Sequence, residues 1–411
     1  MSSRRLGASV YIAREIEATI REMLGQFKVV LVTGARQVGK TTVLQNCLDS
    51  SFSYTTLENP IDRASAQDDA LLFFESQTLP LIIDEVQRVP ELFQMVKFVV
   101  DQSDACGQIV LTGSQTYHLM KGVSESLAGR VGILEMSGFS VRELFGGSHA
   151  GVPYVPSLVK NLEQPSSFDL WRHIQRGSMP RLCSSDVPWE RFWASYTQTY
   201  LERDVRDLIS LKNERKFFDF MVAAAARTGQ LFNASDIANS IDVDYKTVQS
   251  WLSVLQASGI VRLIRPFRPN IGKSLSKTPK LYFMDTGLVC HLTRWTTPEQ
   301  LRNGAVAGHV FETFVVSEVL KSYMNAGANL RDVWFYRDLK KREIDLVIQE
   351  GRVLHPVEIK TGATIRADAV KSFSCLDAFK DYEVGFGHVI CQTPEPYLIT
   401  RDVQAIPVWA I

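Results

Sequence analysis

The apolar run Phe27-Lys28-Val29-Val30-Leu31-Val32-Thr33 leads straight into Gly34-Ala35-Arg36-Gln37-Val38-Gly39-Lys40-Thr41. A strand buried on both faces, a glycine-bearing loop and then a helical pattern from about Thr41 to Leu48 form one local unit. The spacing G-x-x-x-x-G-K-[ST] is met at every defined position and in the right context. Each part has a task. Glycines let backbone N–H groups converge on phosphate oxygens. The helix N-terminus adds free donors and a favourable dipole. Lys40 can reach the β- and γ-phosphates, and the Thr41 hydroxyl can ligate Mg²⁺. The expectation is that Gly34, Ala35, Arg36, Gln37, Val38, Gly39, Lys40, Thr41 and Thr42 bind ATP with Mg²⁺.

Two similar apolar runs follow, LPLIIDE at 79–85 and QIVLTGS at 108–114. Apolar strands separated by helical patterns imply an α/β domain with a parallel sheet, here over 26–146. Asp84 at a strand end is expected beside the metal, and Glu85 to polarise the attacking water. Ser114, ending the third run, is placed to read the γ-phosphate or orient water. Arg130, in SLAGR, is a candidate arginine finger or phosphate sensor, the alternative being a surface arginine.

With 411 residues the chain has room for two to four domains, and 45% hydrophobic with 22% charged residues is globular rather than disordered. Lysine plus arginine (45) balance aspartate plus glutamate (45), which excludes a wholly basic coat protein but not a local basic patch. The six cysteines form no C-x-x-C pair, so zinc or redox motifs are not expected and a reducing compartment fits. No signal-peptide core and no run of about 18 apolar residues is present, so a cytoplasmic protein without a membrane partner is expected.

Residues 10–24 carry a helical pattern stopped by Gly25, giving an N-terminal helix over 1–25. Residues 147–168 are rich in Gly, Pro and Ser and read as a linker or exposed insertion. Helical patterns fill 169–228. Over 229–284, Asn233 or Ser235 can cap one short helix and Asp242 or Asp244 a second, before strand-like runs. That is the pattern of a winged helix-turn-helix, with Tyr245, Lys246 and Gln249 near the start of the second helix. Arg262, Arg265, Arg268, Lys273, Lys277 and Lys280 follow with no acid among them. A wing that basic could track DNA phosphates; the alternative is packing against neighbouring domains.

The order GARQVGKTT, LIIDEVQ, LTGSQ, SLAGR, GSMPRL, TYLERDV resembles a family of prokaryotic AAA-type ATPases that carry a C-terminal domain called DUF4143. The resemblance covers nearly the whole chain. It implies an α/β multidomain protein with an AAA+-like P-loop core, a helical and winged-helix middle, and a nuclease-like α/β C-terminal domain over 300–411.

In that last region Glu343-Ile344-Asp345 precedes Val357-Glu358-Ile359-Lys360. If the strands pair as a hairpin turning near Glu350-Gly351, Asp345 and Glu358 become neighbours, and Lys360 shares a face with Glu358. This resembles the D…E-x-K signature of PD-(D/E)XK nucleases. Glu312, on an apolar helix over 305–323, needs a partner if buried and is expected to join them. The expectation is one catalytic site of Glu312, Asp345, Glu358 and Lys360, with Mg²⁺ or Mn²⁺ held by Asp345 and Glu358. The functional expectation is an ATP hydrolase acting on DNA, with a metal-dependent nuclease domain. The alternative is a regulatory ATPase switch that binds DNA or protein without cleavage. Homo-oligomerisation stays open.

Overall fold

The computed structural model describes residues 11–114, 123, 126–145, 151–160, 168–200, 214–268 and 278–411. The first domain is a five-stranded parallel sheet of β1 (Val29–Gly34), β2 (Ser53–Thr56), β3 (Leu81–Asp84), β4 (Ile109–Gly113) and β5 (Val131–Met136), ordered β2-β3-β4-β1-β5. Every residue of β1, β3 and β4 is buried, as a sheet covered on both faces requires. The register aligns Val29 with Ile109 and Leu81 with Ile109, so the three strands end together. Their carboxyl ends bring Gly34, Asp84 and Gly113 to one rim, where ligands bind in open parallel sheets.

In the middle region, helix Ala234–Ile241 is capped by Asn233, which accepts from the Ser235 and Asp236 amides. Helix Tyr245–Ala257 is capped by Asp244 through the Thr247 amide. The strands β6 (Gln230–Leu231), β7 (Val261–Ile264) and β8 (Lys280–Phe283) form an antiparallel sheet with β8 at its centre. In the sequence motif TYLERDV, Leu201 to Val205 lie outside the described residues, as do Lys273 and Lys277 of the basic segment.

The last region is a mixed sheet of β9 (Val333–Arg337), β10 (Glu343–Glu350), β11 (Val353–Ile359), β12 (Glu383–Val384), β13 (Gly387–Cys391), β14 (Tyr397–Thr400) and β15 (Val403–Pro407). Its order is β14-β15-β13-β11-β10-β9, with β12 beside β11. The long helix Ala307–Asn325 is buried all round between this sheet and the rest of the chain.

Strand β15 continues the sheet in parallel beside β13. Ala367–Ala378 is a 3-10 helix. One sequence expectation is corrected. The described part of the linker expected at 147–168, residues 151–160 and 168, is not simply exposed. Tyr154 is buried, its amide donates to Ser322 Oγ at 2.9 Å, and its hydroxyl meets His388 Nδ1 at 2.7 Å. Gly, Pro and Ser signal the absence of regular structure, and here the irregular backbone packs along the C-terminal sheet.

Candidate functional site

The loop after β1 is shaped by backbone constraints that few residues meet. Gly34 has φ +143°, and a Cβ there would lie 2.0 Å from the Met136 carbonyl oxygen, so only glycine fits. Gly39, also left-handed, starts helix Lys40–Cys47. Arg14 braces the loop from the N-terminal segment: it pairs with Glu143 at 2.7 Å and donates to the Val38 carbonyl at 3.0 Å.

Lys40 is 7% exposed, and its ammonium donates to the carbonyls of Gly34 and Ala35, each at 3.0 Å. The Thr41 hydroxyl donates to Asp84 Oδ2 at 3.0 Å, and Tyr54 donates to the same oxygen at 3.0 Å. Thr112, from the strand between β1 and β3, donates to Asp84 Oδ1. Burial and the Asp84 charge push the Tyr54 phenol up to about 12, keeping it a donor. Glu85 turns out of β3 at φ 58°, a left-handed conformation rare for glutamate, with its amide on Thr112 and its carboxylate on Gln87. Ser114 is buried, and its hydroxyl finds no partner among the described residues.

Lys40, Thr41, Glu85 and Ser114 open onto one cleft of about 350 Å³. A buried hydroxyl without a partner, beside an ammonium and a threonine–aspartate oxygen pair, fits a phosphate chain with its Mg²⁺. Sequence reasoning missed Thr199, at the end of helix Trp189–Tyr200, which lines this cleft. It also missed a second cleft of about 580 Å³ across the loop, walled by Tyr11, Ile12, Val38, Pro180 and Arg181. Arg181 lay in GSMPRL, quoted only for its resemblance; Tyr11 carried no local signal.

Arg130 as a sensor of its own chain's phosphates is corrected. It precedes β5, whose Val131 pairs with Val29 at the start of β1, so it lies at the opposite rim. Six residues of strand separate the rims by roughly 20 Å at about 3.3 Å per residue. Arg130 instead grips Asp101 with two bonds of 2.6 and 2.9 Å, which is the surface-arginine alternative.

The C-terminal residues do converge. Beyond the Leu346–Val357 pair of β10 and β11, Asp345 and Glu358 face each other, and Asp345 accepts the Ile359 amide at 2.8 Å. Lys360 donates to Glu358 at 2.5 Å. Glu312 reaches in from the long helix. At the centre, however, stands Lys280. Its ammonium lies 2.8 Å from Glu312, 2.6 Å from Glu343 and 3.8 Å from Asp345, and the residue is 3% exposed. Tyr282 donates to Glu312 at 2.7 Å. Burial and the Glu312 charge raise the Asp345 carboxyl to about 6; burial and Asp345 raise Glu358 to about 7. Burial works against the Lys280 charge, but Glu312, Asp345 and Glu343 outweigh it and hold the lysine protonated.

These acids do not fit a divalent ion: the point they surround is already held by an ammonium. Among the described residues, no three His, Cys, Asp or Glu side chains are set to hold a metal. Lys280 and Arg262 also drop out of the basic wing, since Arg262 pairs with Glu135 of the first domain.

The sheet order and the loop define the first domain as a P-loop ATPase fold. An AAA-domain family model matches residues 26–145, a domain of unknown function (DUF8612) residues 167–299, and a second (DUF4143) residues 307–411. The chain belongs to the AAA-type P-loop ATPases that carry a C-terminal DUF4143 domain. Two relatives, "Uncharacterized protein Rv2008c" of Mycobacterium tuberculosis and "Uncharacterized protein Mb2031c" of Mycobacterium bovis, are each 30% identical over 409 residues. The match covers 98% of this chain and 85% of each relative. Among solved structures, the Walker-type ATPase PABY2304 of Pyrococcus abyssi is similar over 68% of this chain and 94% of its own, at 16% identity and TM-score 0.42. RuvB of Thermotoga maritima is similar over 62% and 89%, at 17% identity and TM-score 0.30. Among the described residues no helix is long and apolar enough to cross a membrane.

Proposed function

We propose that the chain hydrolyses ATP with Mg²⁺ at the rim of its parallel sheet. The observation that carries this reading is the joint placement on one cleft of Lys40, the Thr41–Asp84 pair, Glu85 and the Ser114 hydroxyl, which has no partner among the described residues. Lys40, at the loop carbonyls of Gly34 and Ala35, donates to phosphate oxygens in charge-assisted hydrogen bonds. Thr41 and Asp84 would hold Mg²⁺, which supplies charge neutralisation on the phosphates when bound. Glu85 accepts the proton of the attacking water, and Ser114 donates to the phosphate being transferred. The second cleft, with Tyr11, Ile12 and Pro180 as flat apolar walls, takes the base.

Glu85→Gln tests this directly. Turnover should fall by about 10²–10⁴ with ATP affinity retained, because a base is lost and no phosphate ligand. Lys40→Ala should instead lose affinity. Unchanged turnover in Glu85→Gln would sink the assignment of the base, and unchanged affinity in Lys40→Ala that of the site.

The middle region supports a second role, as a winged helix that touches DNA while reporting on the nucleotide. Tyr245 and Lys246 stand exposed at the start of helix Tyr245–Ala257, as does Arg265 beyond β7. The turn behind this helix meets the phosphate loop: a Cβ on Gly259 would lie 3.4 Å from the Ala35 nitrogen. Together with the Arg262–Glu135 pair, that contact favours a regulatory ATPase switch over DNA cleavage. Replacing Arg265 and Lys246 with Ala should weaken DNA binding and flatten its salt dependence. Identical binding and slope would leave the region with a structural role only.

A further inference from the structure

We propose that Lys280 is the resident cation of the C-terminal carboxylate cluster, standing where a divalent ion would sit and keeping one out. The cluster then clamps the middle sheet to the C-terminal sheet without metal.

The charges close around the lysine. Glu312, Glu343, Asp345 and Glu358 bring four carboxylates; Lys280, Lys360 and Arg337 bring three cations, each in an ion pair with at least one of them. The balance is one negative charge when all are ionised. A divalent ion added to that set would overcharge it, at the cost of stripping its own water. The same four carboxylates without the ammonium would be a strong cation site.

Lys280 is also fixed in place. It starts the central strand of its sheet, paired with Leu231 on one side and Ile264 on the other. Tyr282, two residues on and therefore on the same face, holds Glu312 by its hydroxyl. One strand face thus carries both groups that grip the cluster. The joint continues alongside, where the Phe335 amide donates to the Arg265 carbonyl at 3.2 Å and the Phe267 amide to the Phe335 carbonyl at 2.7 Å.

This inference is independent of the nucleotide reading, and its test uses nucleotide-free full-length protein titrated with Mn²⁺ and followed by the electron-spin signal of the free ion. Wild type should bind no Mn²⁺ that an Asp345→Asn change removes. Lys280→Met should gain one Mn²⁺ per chain, bound at least about tenfold more tightly than by wild type. Lys280→Arg, which keeps the charge, should stay without it. If Lys280→Met does not fold by circular dichroism, Lys280→Gln is the neutral variant to use. The proposal is overturned if wild type binds a Mn²⁺ ion that Asp345→Asn abolishes. It is equally overturned if a folded neutral variant gains none.

Discussion

The two acidic sites of this chain hold similar residues and differ in what answers them. At the sheet rim, Asp84 is met by hydroxyls of Thr41, Tyr54 and Thr112, and Lys40 donates to two loop carbonyls. Hydroxyls can accept as well as donate, so a cation can enter beside Asp84 without displacing an ammonium from it. In the C-terminal cluster every acid already faces an ammonium or guanidinium, apart from one Glu358 oxygen that has no partner among the described residues. Carboxylates gather charge at both places; only in the second is the point they surround filled by an ammonium. Convergence alone therefore does not define a metal site, and the nearest fixed cation decides.

The contrast can be broken most severely at Asp84. Asp84→Asn should lower Mg²⁺-dependent ATP turnover by about a hundredfold or more, since a metal ligand in phosphoryl transfer is worth several kcal/mol. Binding of ATP without Mg²⁺ should be little changed, which equilibrium titration with and without the ion would show. If Asp84→Asn keeps wild-type turnover, the rim is not the metal-using site of the pair.

A smaller effect sharpens the other side. Asp345 and Glu358 bind protons more tightly folded, at about 6 and about 7, than as unfolded side chains near 3.8 and 4.5. Their contribution to stability is greatest below the unfolded values and is lost as pH rises through about 6 and 7. Wild type should thus lose several degrees of melting temperature relative to Asp345→Asn between pH 5 and pH 8. A difference that stays flat across this range would mean that the two carboxyls are not held as the structure holds them.

Smallest of all should be Arg130→Ala. Its pair with Asp101 is exposed and at the far rim, so folding stability, measured by denaturant melts, should barely change. ATP turnover of the isolated chain should not change. A large fall in turnover would place Arg130 at a phosphate after all.

The nucleotide site was legible because its geometry is local. Gly34 to Thr41 are contiguous, and each position has one mechanical job that few residue types can do. Asp84 and Glu85 were legible only through the loop upstream of them, because a strand ending in two acids is by itself an ordinary strand end. The strand order was less so: nothing in the three apolar runs says that β4 inserts between β1 and β3 and delivers Thr112 to Asp84. Lys280 was illegible for a different reason. It ends a segment of six basic residues without an acid, so it reads as part of a wing, yet Glu312 lies 32 residues away on another element. Ion pairs of that range leave no periodicity behind. Arg130 misled because a motif-like SLAGR says nothing about which end of the following strand faces the nucleotide.

A chain with one metal-using site and one ammonium-filled site should hold a single Mn²⁺ ion at saturating ATP, absent without nucleotide and lost in Asp84→Asn. Counting the Mn²⁺ bound per chain decides this. Two ions per chain in wild type, one of them lost in Asp345→Asn and indifferent to ATP, would mean that Lys280 does not keep a metal out.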